Sequence, residues 1–528
     1  MSADTFDYIV IGAGSAGCVL ANRLSADPRW RVLQLEAGPR DSNPWIHIPL
    51  GYGKLFNHPV LNWGYKTAPE PFLHDRRISQ PRGRVLGGSS SINGLLYVRG
   101  QREDFDDWRA AGHVGWGFDD LLPYFIRAEN QARGANAFHG IGGPLSVSDP
   151  TETHPLCDAF IEAAVEAGHP RNEDFNGPSQ EGAGYYQATA KNGRRVSAAV
   201  AYLRPARDRK NLQIRTGALV TRVLFDGLRA TGVEWEENGV TMTASANAEV
   251  IVAAGAINTP QLLQLSGIGD GALLSELGLP QVRHAPDVGE HLQDHYQARL
   301  VYRATKPCTL NDDLRSPLRT AILGARYLLL RRGGLTISAG YAGGFFRSPD
   351  ATAGRPDFQI HFINFSTDAM GTRLHPFSGF TASACPLRPH SRGHVRVVKP
   401  DPATAPEILV NYLSDPQDRE DIVTGIRLVR DIMKQPAIAP FLQEEYLPGP
   451  KLSTDEQLLE FARQTGGSLY HPCSTAALGA VVDSELRVKG VERLRVIDAS
   501  IMPSVVSGNT NAAVIAIAEK GSDLILKA

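Results

Sequence analysis

The 528 residues predict a two-part fold, a Rossmann-like α/β unit joined to an α+β unit with an antiparallel sheet, and three observations carry that reading. The chain opens on an apolar run at 7–11, followed at once by GAGSAG at 12–17, a helical pattern through Leu24 and a second apolar run at 31–36. Strand, glycine-rich turn, helix and strand in that order make a βαβ unit. Between about 150 and 215 and between about 300 and 465 the texture changes to Pro-rich loops and strand-like stretches such as FQIHF at 358–362, the pattern of a separate α+β unit. Short Val- and Ile-rich segments at 211–236 and 250–254, a strand at 494–498 and a helical pattern at 511–526, with Val514, Ile517, Ala518, Gly521 and Ile525 on one face, return to the first texture. The first unit is therefore expected to be assembled from residues 1–150, 211–300 and 466–528, and the second from 151–210 and 301–465.

Composition narrows the function. Lys and Arg number 54 against 56 Asp and Glu, a net charge of 54 − 56 = −2, so no general field draws the chain to a nucleic acid. The five cysteines, Cys18, Cys157, Cys308, Cys385 and Cys473, are scattered without a CxxC pair, which argues against a disulfide framework and a cysteine metal site. An acidic amino terminus without a basic leader, and no apolar run near 18 residues, lead us to expect a cytoplasmic protein with no spanning helix.

In the opening βαβ unit Gly12 permits the tight turn, Gly14 lets the backbone approach a pyrophosphate, and Gly17 lets helix and strand pack closely. The helix terminus at Ser15 and Ala16 supplies partial positive charge to phosphates. Glu36, followed by Ala37, lies about twenty residues beyond the turn and can accept hydrogen bonds from ribose hydroxyls, which disfavours a 2′-phosphate. This motif alone leaves FAD and NAD open.

The segments that decide between them are GRVLGGSSSINGLLYVRG at 83–100, GAINTPQLLQLSGIG at 255–269, YHPCST at 470–475, VIDAS at 496–500 and GNTN at 508–511. In this order they resemble, from end to end, the glucose-methanol-choline (GMC) oxidoreductases, and most closely the bacterial choline dehydrogenase-like and alkanol dehydrogenase members. The resemblance implies the GMC fold, with an FAD-binding Rossmann-like domain and a substrate domain. It carries over Gly88, Asn93 and Gly94 as flavin and pyrophosphate contacts and Val220 as an adenine contact. Asp498, Ala499 and Asn511 are expected along the flavin edge. At Ile92, where some relatives have a histidine bonded covalently to flavin, isoleucine has no nucleophile, so noncovalent FAD is expected.

Oxidising an alcohol by hydride transfer also needs a base and groups that hold the substrate oxygen. The resemblance places His471 in the catalytic HPxGT-like motif as the base, with hydride passing from a primary alcohol to flavin N5, and Asn509 as the residue that orients the substrate oxygen. The motif departs from the family in STAALG at 474–479, where relatives commonly carry an arginine and a methionine. HLQDH at 291–295 has two histidines at metal-like spacing but falls on a structural segment of the family, so no metal is expected. Trp63, Tyr341 and His361 are candidate pocket walls. Choline-oxidising relatives hold the ammonium group with a carboxylate near the place of Tyr341, and its absence points to an uncharged aliphatic or aromatic alcohol.

Oxygen, or a quinone or dye-like compound, would be the external electron acceptor. Residues 315–332, with Arg315, Arg319, Arg326, Arg331 and Arg332 around leucines, read as a basic amphipathic helix. A solvated helix covering the second unit is its simpler role, and contact with a membrane surface is the alternative. Two other functions stay open: an FAD-containing hydroxynitrile lyase without net redox, and a flavin-binding protein without catalysis.

Overall fold

The structure, a computed structural model, describes residues 4–349, 351, 354–369 and 371–527. Its elements relevant to the site are, in chain order, β1 (Asp4–Ile11), α1 (Ser15–Leu24), β2 (Val32–Glu36), α2 (Pro155–Glu166), β3 (Gly182–Tyr185), β4 (Leu212–Thr216), β5 (Ala218–Asp226), β6 (Arg229–Glu237), β7 (Val240–Val252), α3 (Gly255–Leu265) and β8 (Tyr296–Ala304). They continue with α4 (Pro317–Leu330), β9 (Ala342–Phe346), β10 (Phe358–Ile363), β11 (Gly379–Pro386), α5 (Pro416–Met433), β12 (Leu442–Leu447), β13 (Leu494–Val496) and α6 (Asn511–Lys527).

Two seven-stranded sheets organise these elements. The first has the order β4-β2-β1-β7-β6-β5, with β13 also on β7. Its core pairs, β4 with β2, β2 with β1, β1 with β7 and β7 with β13, are parallel. Residues 8–11 and all of β2 are buried, as central parallel strands covered on both faces require. The β5-β6-β7 meander is antiparallel. Its second turn is a two-residue Asn238-Gly239 loop with both φ positive, 54° and 76°, the favoured hairpin chemistry for right-twisted strands.

α1 is buried along most of its length and packs on α6, whose residues 512–522 are all buried. Glu519 of α6, itself sealed from solvent, accepts from Arg23 of α1 at 2.7 and 2.8 Å, pairs with Arg127 at 2.7 Å and accepts the Tyr202 hydroxyl at 2.8 Å. A buried carboxylate needs such partners, and here they lock the first helix to the last.

The second sheet, β12-β8-β11-β10-β9-β3, is antiparallel throughout, and the two-residue strand Gly467–Ser468 also pairs with β8. Tyr296, Ala298, Leu300 and Tyr302 of β8 join the same core as Ile422, Ile426 and Val429 of α5. Successive side chains of a strand face opposite ways, so Gln297 and Arg299 look away from that core. The basic segment at 315–332 is interrupted at Ser316 and Pro317, where the Ser316 hydroxyl caps α4. Tyr327 is the buried residue of α4, whereas Leu318 is 71% and Leu329 81% exposed. Among the described residues no helix is long and apolar enough to cross a membrane.

Candidate active site

A single cavity runs from the β1–α1 turn to His471, between the two sheets. At its first end Gly12 has φ +93°, and a Cβ there would lie 2.6 Å from the Ala253 carbonyl oxygen. A Cβ on Gly17 would lie 1.9 Å from the Gly12 carbonyl oxygen, so this glycine serves packing behind the cavity wall. Gly14, in contrast, faces open space, with only the Gly88 Cα at 4.0 Å from an added Cβ. Gly14, Ser15 and Ala16 line the cavity, as does Gly88, which closes on Gly14 from the opposite side.

Two helix termini converge here. The Ser15 hydroxyl at the start of α1 donates to Asn511 Oδ1 at the start of α6, 2.7 Å away. Neither helix has an acidic residue in its first turn, which leaves both positive ends open to an anion. Glu36 lines the same end. Its carboxylate accepts the Ala13 and Gly38 N–H groups, both at 2.8 Å, and burial pushes its carboxyl up to about 7; further hydrogen bonds from a ligand's hydroxyls would favour the charged form. The small-residue cradle, two open helix termini and a buried acceptor fit the pyrophosphate and ribose of FAD. Ala37 and Val220 also line this end.

Farther along, Gly88, Ile92, Asn93 and Gly94 form one wall. Asn93 Oδ1 accepts Arg195 at 2.7 Å and the Leu95 N–H at 3.1 Å, so the asparagine is held rigidly by a buried guanidinium. Asp498 lines the cavity, yet its carboxylate is occupied by the Gly255 and Ser500 N–H groups and the Thr259 and Ser500 hydroxyls at 2.6–2.8 Å. It therefore fixes the start of α3 and the turn containing Ala499.

At the far end the chemistry converges on His471. Its main-chain N–H donates to Asp294 Oδ1 at 2.7 Å. Its Nδ1 lies 2.9 Å from His295 Nδ1, the rings nearly perpendicular at 84°, and its Nε2 lies 3.1 Å from Asn509 Nδ2. Burial first, then His295, His361 and Arg82, hold the imidazole well below its ordinary pKa. His295 is also depressed by burial, and its Nε2 lies 2.9 Å from the Leu387 carbonyl oxygen.

These contacts determine the tautomers. A carbonyl only accepts, so the proton of neutral His295 sits on Nε2 and its Nδ1 is bare. The hydrogen between the two Nδ1 atoms then belongs to His471, and His471 Nε2 carries a lone pair directed toward Asn509 and the cavity. Asn509 is oriented in turn by Gln359 Nε2, 3.3 Å from its Oδ1.

Among the other expected wall residues, Trp63 lines the cavity and lies under Arg84, whose Cζ is 4.8 Å from the ring centroid. His361 lines it too, with an unpartnered buried Nδ1 and a pKa pushed down to about 3, mainly by burial. Tyr341 is not a lining residue: its hydroxyl donates to the Glu152 carbonyl and its ring packs edge-on against Tyr185 at 5.6 Å. HLQDH is not helical, His291 having a left-handed φ of 61°, which sends its two histidines apart: His291 is exposed beside Asp287, and His295 is buried against His471. Among the described residues no cluster of three or more metal-ligating side chains forms.

Sequence reasoning missed Gln297 and Arg299 as cavity-lining groups and His295 as the buried partner of His471. The signal was alternation through 295–299, which puts these three on one face of β8 and its lead-in.

A dinucleotide cradle joined to a buried, bare imidazole nitrogen defines a nucleotide-dependent oxidoreductase. Residues 6–297 and 389–518 match family models described as GMC oxidoreductase, and the chain belongs to this family of FAD-dependent enzymes acting on CH–OH donors. It is 42% identical to an alcohol dehydrogenase (acceptor) of Pseudomonas putida, over 99% of this chain and 96% of that one. It is 44% identical to the mitochondrial choline dehydrogenase of Homo sapiens, over 99% and 90% of the two chains. Among solved structures, pyridoxine 4-oxidase from Mesorbium loti superposes with a TM-score of 0.89 at 32% identity, covering 98% of each chain.

Proposed function

We propose that the protein oxidises a primary alcohol to the aldehyde, with His471 as the base that removes the hydroxyl proton. The observation that carries this reading is the Leu387–His295–His471 chain of hydrogen bonds, which leaves the cavity-facing Nε2 of a neutral histidine unprotonated. An alcohol O–H placed against that atom donates to it, and the Asn509 amide, 3.1 Å away, steadies the oxygen as negative charge grows. Protonated His471 still donates from Nδ1 to His295, so the relay holds one geometry through the proton transfer. FAD, when bound, supplies the acceptor for the two electrons leaving with the α-hydrogen. Its pyrophosphate would be held by the Gly14 and Gly88 backbones and the α1 terminus, its ribose by Glu36. An external acceptor completes the cycle, as the name of the Pseudomonas putida relative indicates for that enzyme.

The deciding experiment is anaerobic reduction of the holoenzyme by a panel of primary alcohols in wild type and His471→Ala. The variant should keep its FAD and lose roughly 10²- to 10⁴-fold in reduction rate, the range for a positioned general base. Rapid reduction in His471→Ala would remove the histidine from this role.

A further inference from the structure

Arg299 lines the cavity but makes no hydrogen bond or ion pair among the described residues, and its Nη2 is sealed from solvent without a partner. Tyr470, Tyr52 and Asp368 act on it only electrostatically. The Asp368 carboxylate is 78% exposed and taken by His375 at 2.9 Å. A guanidinium stays protonated, and a buried cation without a counter-charge is costly. The other lining cation, Arg82, is spent on the Pro81 and Tyr470 carbonyls, each at 2.6 Å. The two lining carboxylates, Glu36 and Asp498, are occupied by main-chain N–H groups. The cavity around Arg299 is therefore electropositive.

The geometry relates this charge to the base. Gln297 and Arg299 lie on the cavity side of β8, and Ser383, directly across the sheet from Arg299, lines the cavity too; His295, which precedes β8 on the same alternating face, sits behind the wall against His471. Four residues of extended chain span about 13 Å, a separation that the long arginine stem reduces. Tyr52, Phe56, Trp63 and Tyr470 line the same cavity.

We propose that Arg299 is the anchor of a carboxylate subsite, so that the preferred substrate is an alcohol with an apolar or aromatic body and a carboxylate at its far end. This rests on the alcohol-oxidation reading above. It replaces the uncharged substrate expected from Tyr341, which lies off the cavity, and it disfavours a cationic alcohol such as choline.

The test compares benzyl alcohol with 4-(hydroxymethyl)benzoate as reductants of the holoenzyme. The carboxylate should raise kcat/KM at least about tenfold, the worth of one charge-assisted hydrogen-bonded contact. Arg299→Leu should erase that preference while leaving benzyl alcohol nearly unchanged, and Arg299→Lys should retain part of it. Equal use of the two alcohols by wild type, or an unchanged ratio in Arg299→Leu, overturns the subsite. Benzoate titrated against the flavin absorbance reads the subsite without turnover. If no alcohol reduces the enzyme, the oxidation reading fails; if benzoate affinity does not fall in Arg299→Leu, the anchor fails.

A separate observation concerns α4. Leu318, Ile322, Ala325 and Leu329 recur at helical spacing on its exposed side, opposite buried Tyr327. Five arginines, Arg315, Arg319, Arg326, Arg331 and Arg332, flank this stripe against Asp312, Asp313 and Glu152, and Arg331 and Arg332 form no ion pair among the described residues. Apolar side chains ringed by excess positive charge complement an anionic bilayer surface. We infer that α4 lies on such a surface with its leucines in the headgroup boundary.

Holoenzyme should sediment with vesicles of phosphatidylcholine and phosphatidylglycerol, and Leu318→Ser/Leu329→Ser should lower the bound fraction at least about tenfold. That variant should keep its turnover with a soluble dye. No binding by wild type, equal binding by the variant, or a solution dimer abolished by the same substitutions would overturn the inference.

Discussion

Replacing His295 with phenylalanine removes the acceptor of the His471 Nδ1 proton while keeping a ring in a fully buried position. The His471 tautomer with hydrogen on Nδ1 then leaves a buried donor unpaired, a penalty of about 1–3 kcal/mol. The tautomer with hydrogen on Nε2 avoids that penalty but has no lone pair facing the cavity. At 1.36 kcal/mol per decade the loss corresponds to roughly a 5- to 150-fold slower reduction by alcohol. His295→Gln, whose amide oxygen can accept the same hydrogen, should recover part of the rate. Because His295 is among the groups that lower the His471 pKa, the acid limb of kcat/KM against pH should also move upward in His295→Phe. The assay is stopped-flow anaerobic reduction across pH, with FAD content measured on the same preparation. A rate within twofold of wild type together with an unmoved acid limb would refute the tautomer argument.

Gly88→Ala should weaken FAD binding enough for the protein to purify largely colourless, because φ at Gly88 is +53° and the new Cβ would sit 2.6 Å from the Gly14 Cα; flavin content per chain reads the outcome. Tyr341→Phe should cost about 1 kcal/mol of stability through the lost bond to the Glu152 carbonyl, with KM for every alcohol within twofold of wild type. As the proposed base, His471 acts only when deprotonated, and burial lowers its pKa, so activity should persist as pH falls through 6.5 and its acid limb should lie below that value; a limb at or above pH 7 contradicts the buried neutral imidazole.

The nucleotide end was legible in the amino-acid string because its constraints are local. Gly12 must take a left-handed φ, Gly17 must pack against a carbonyl five residues earlier, and an alternating or continuous apolar run sets a strand's environment without knowledge of its neighbours. The β6–β7 turn at Asn238-Gly239 is as local in origin, although the strand reading at 211–236 and 250–254 passed over it. His471 and Asn509 were recognisable by resemblance, and the tertiary fold sets them 3.1 Å apart.

His295, Arg299 and Tyr341 were decided by tertiary structure alone. His295 meets His471 across 176 residues of chain, so no spacing rule could pair them, and the i, i+4 spacing within HLQDH is no guide because the segment is not helical. Arg299 matters through the partner it lacks, and Tyr341 through a carbonyl that takes its hydroxyl. Backbone conformation is set by a residue and its near neighbours; pairing, burial and uncompensated charge depend on which distant faces the fold brings together.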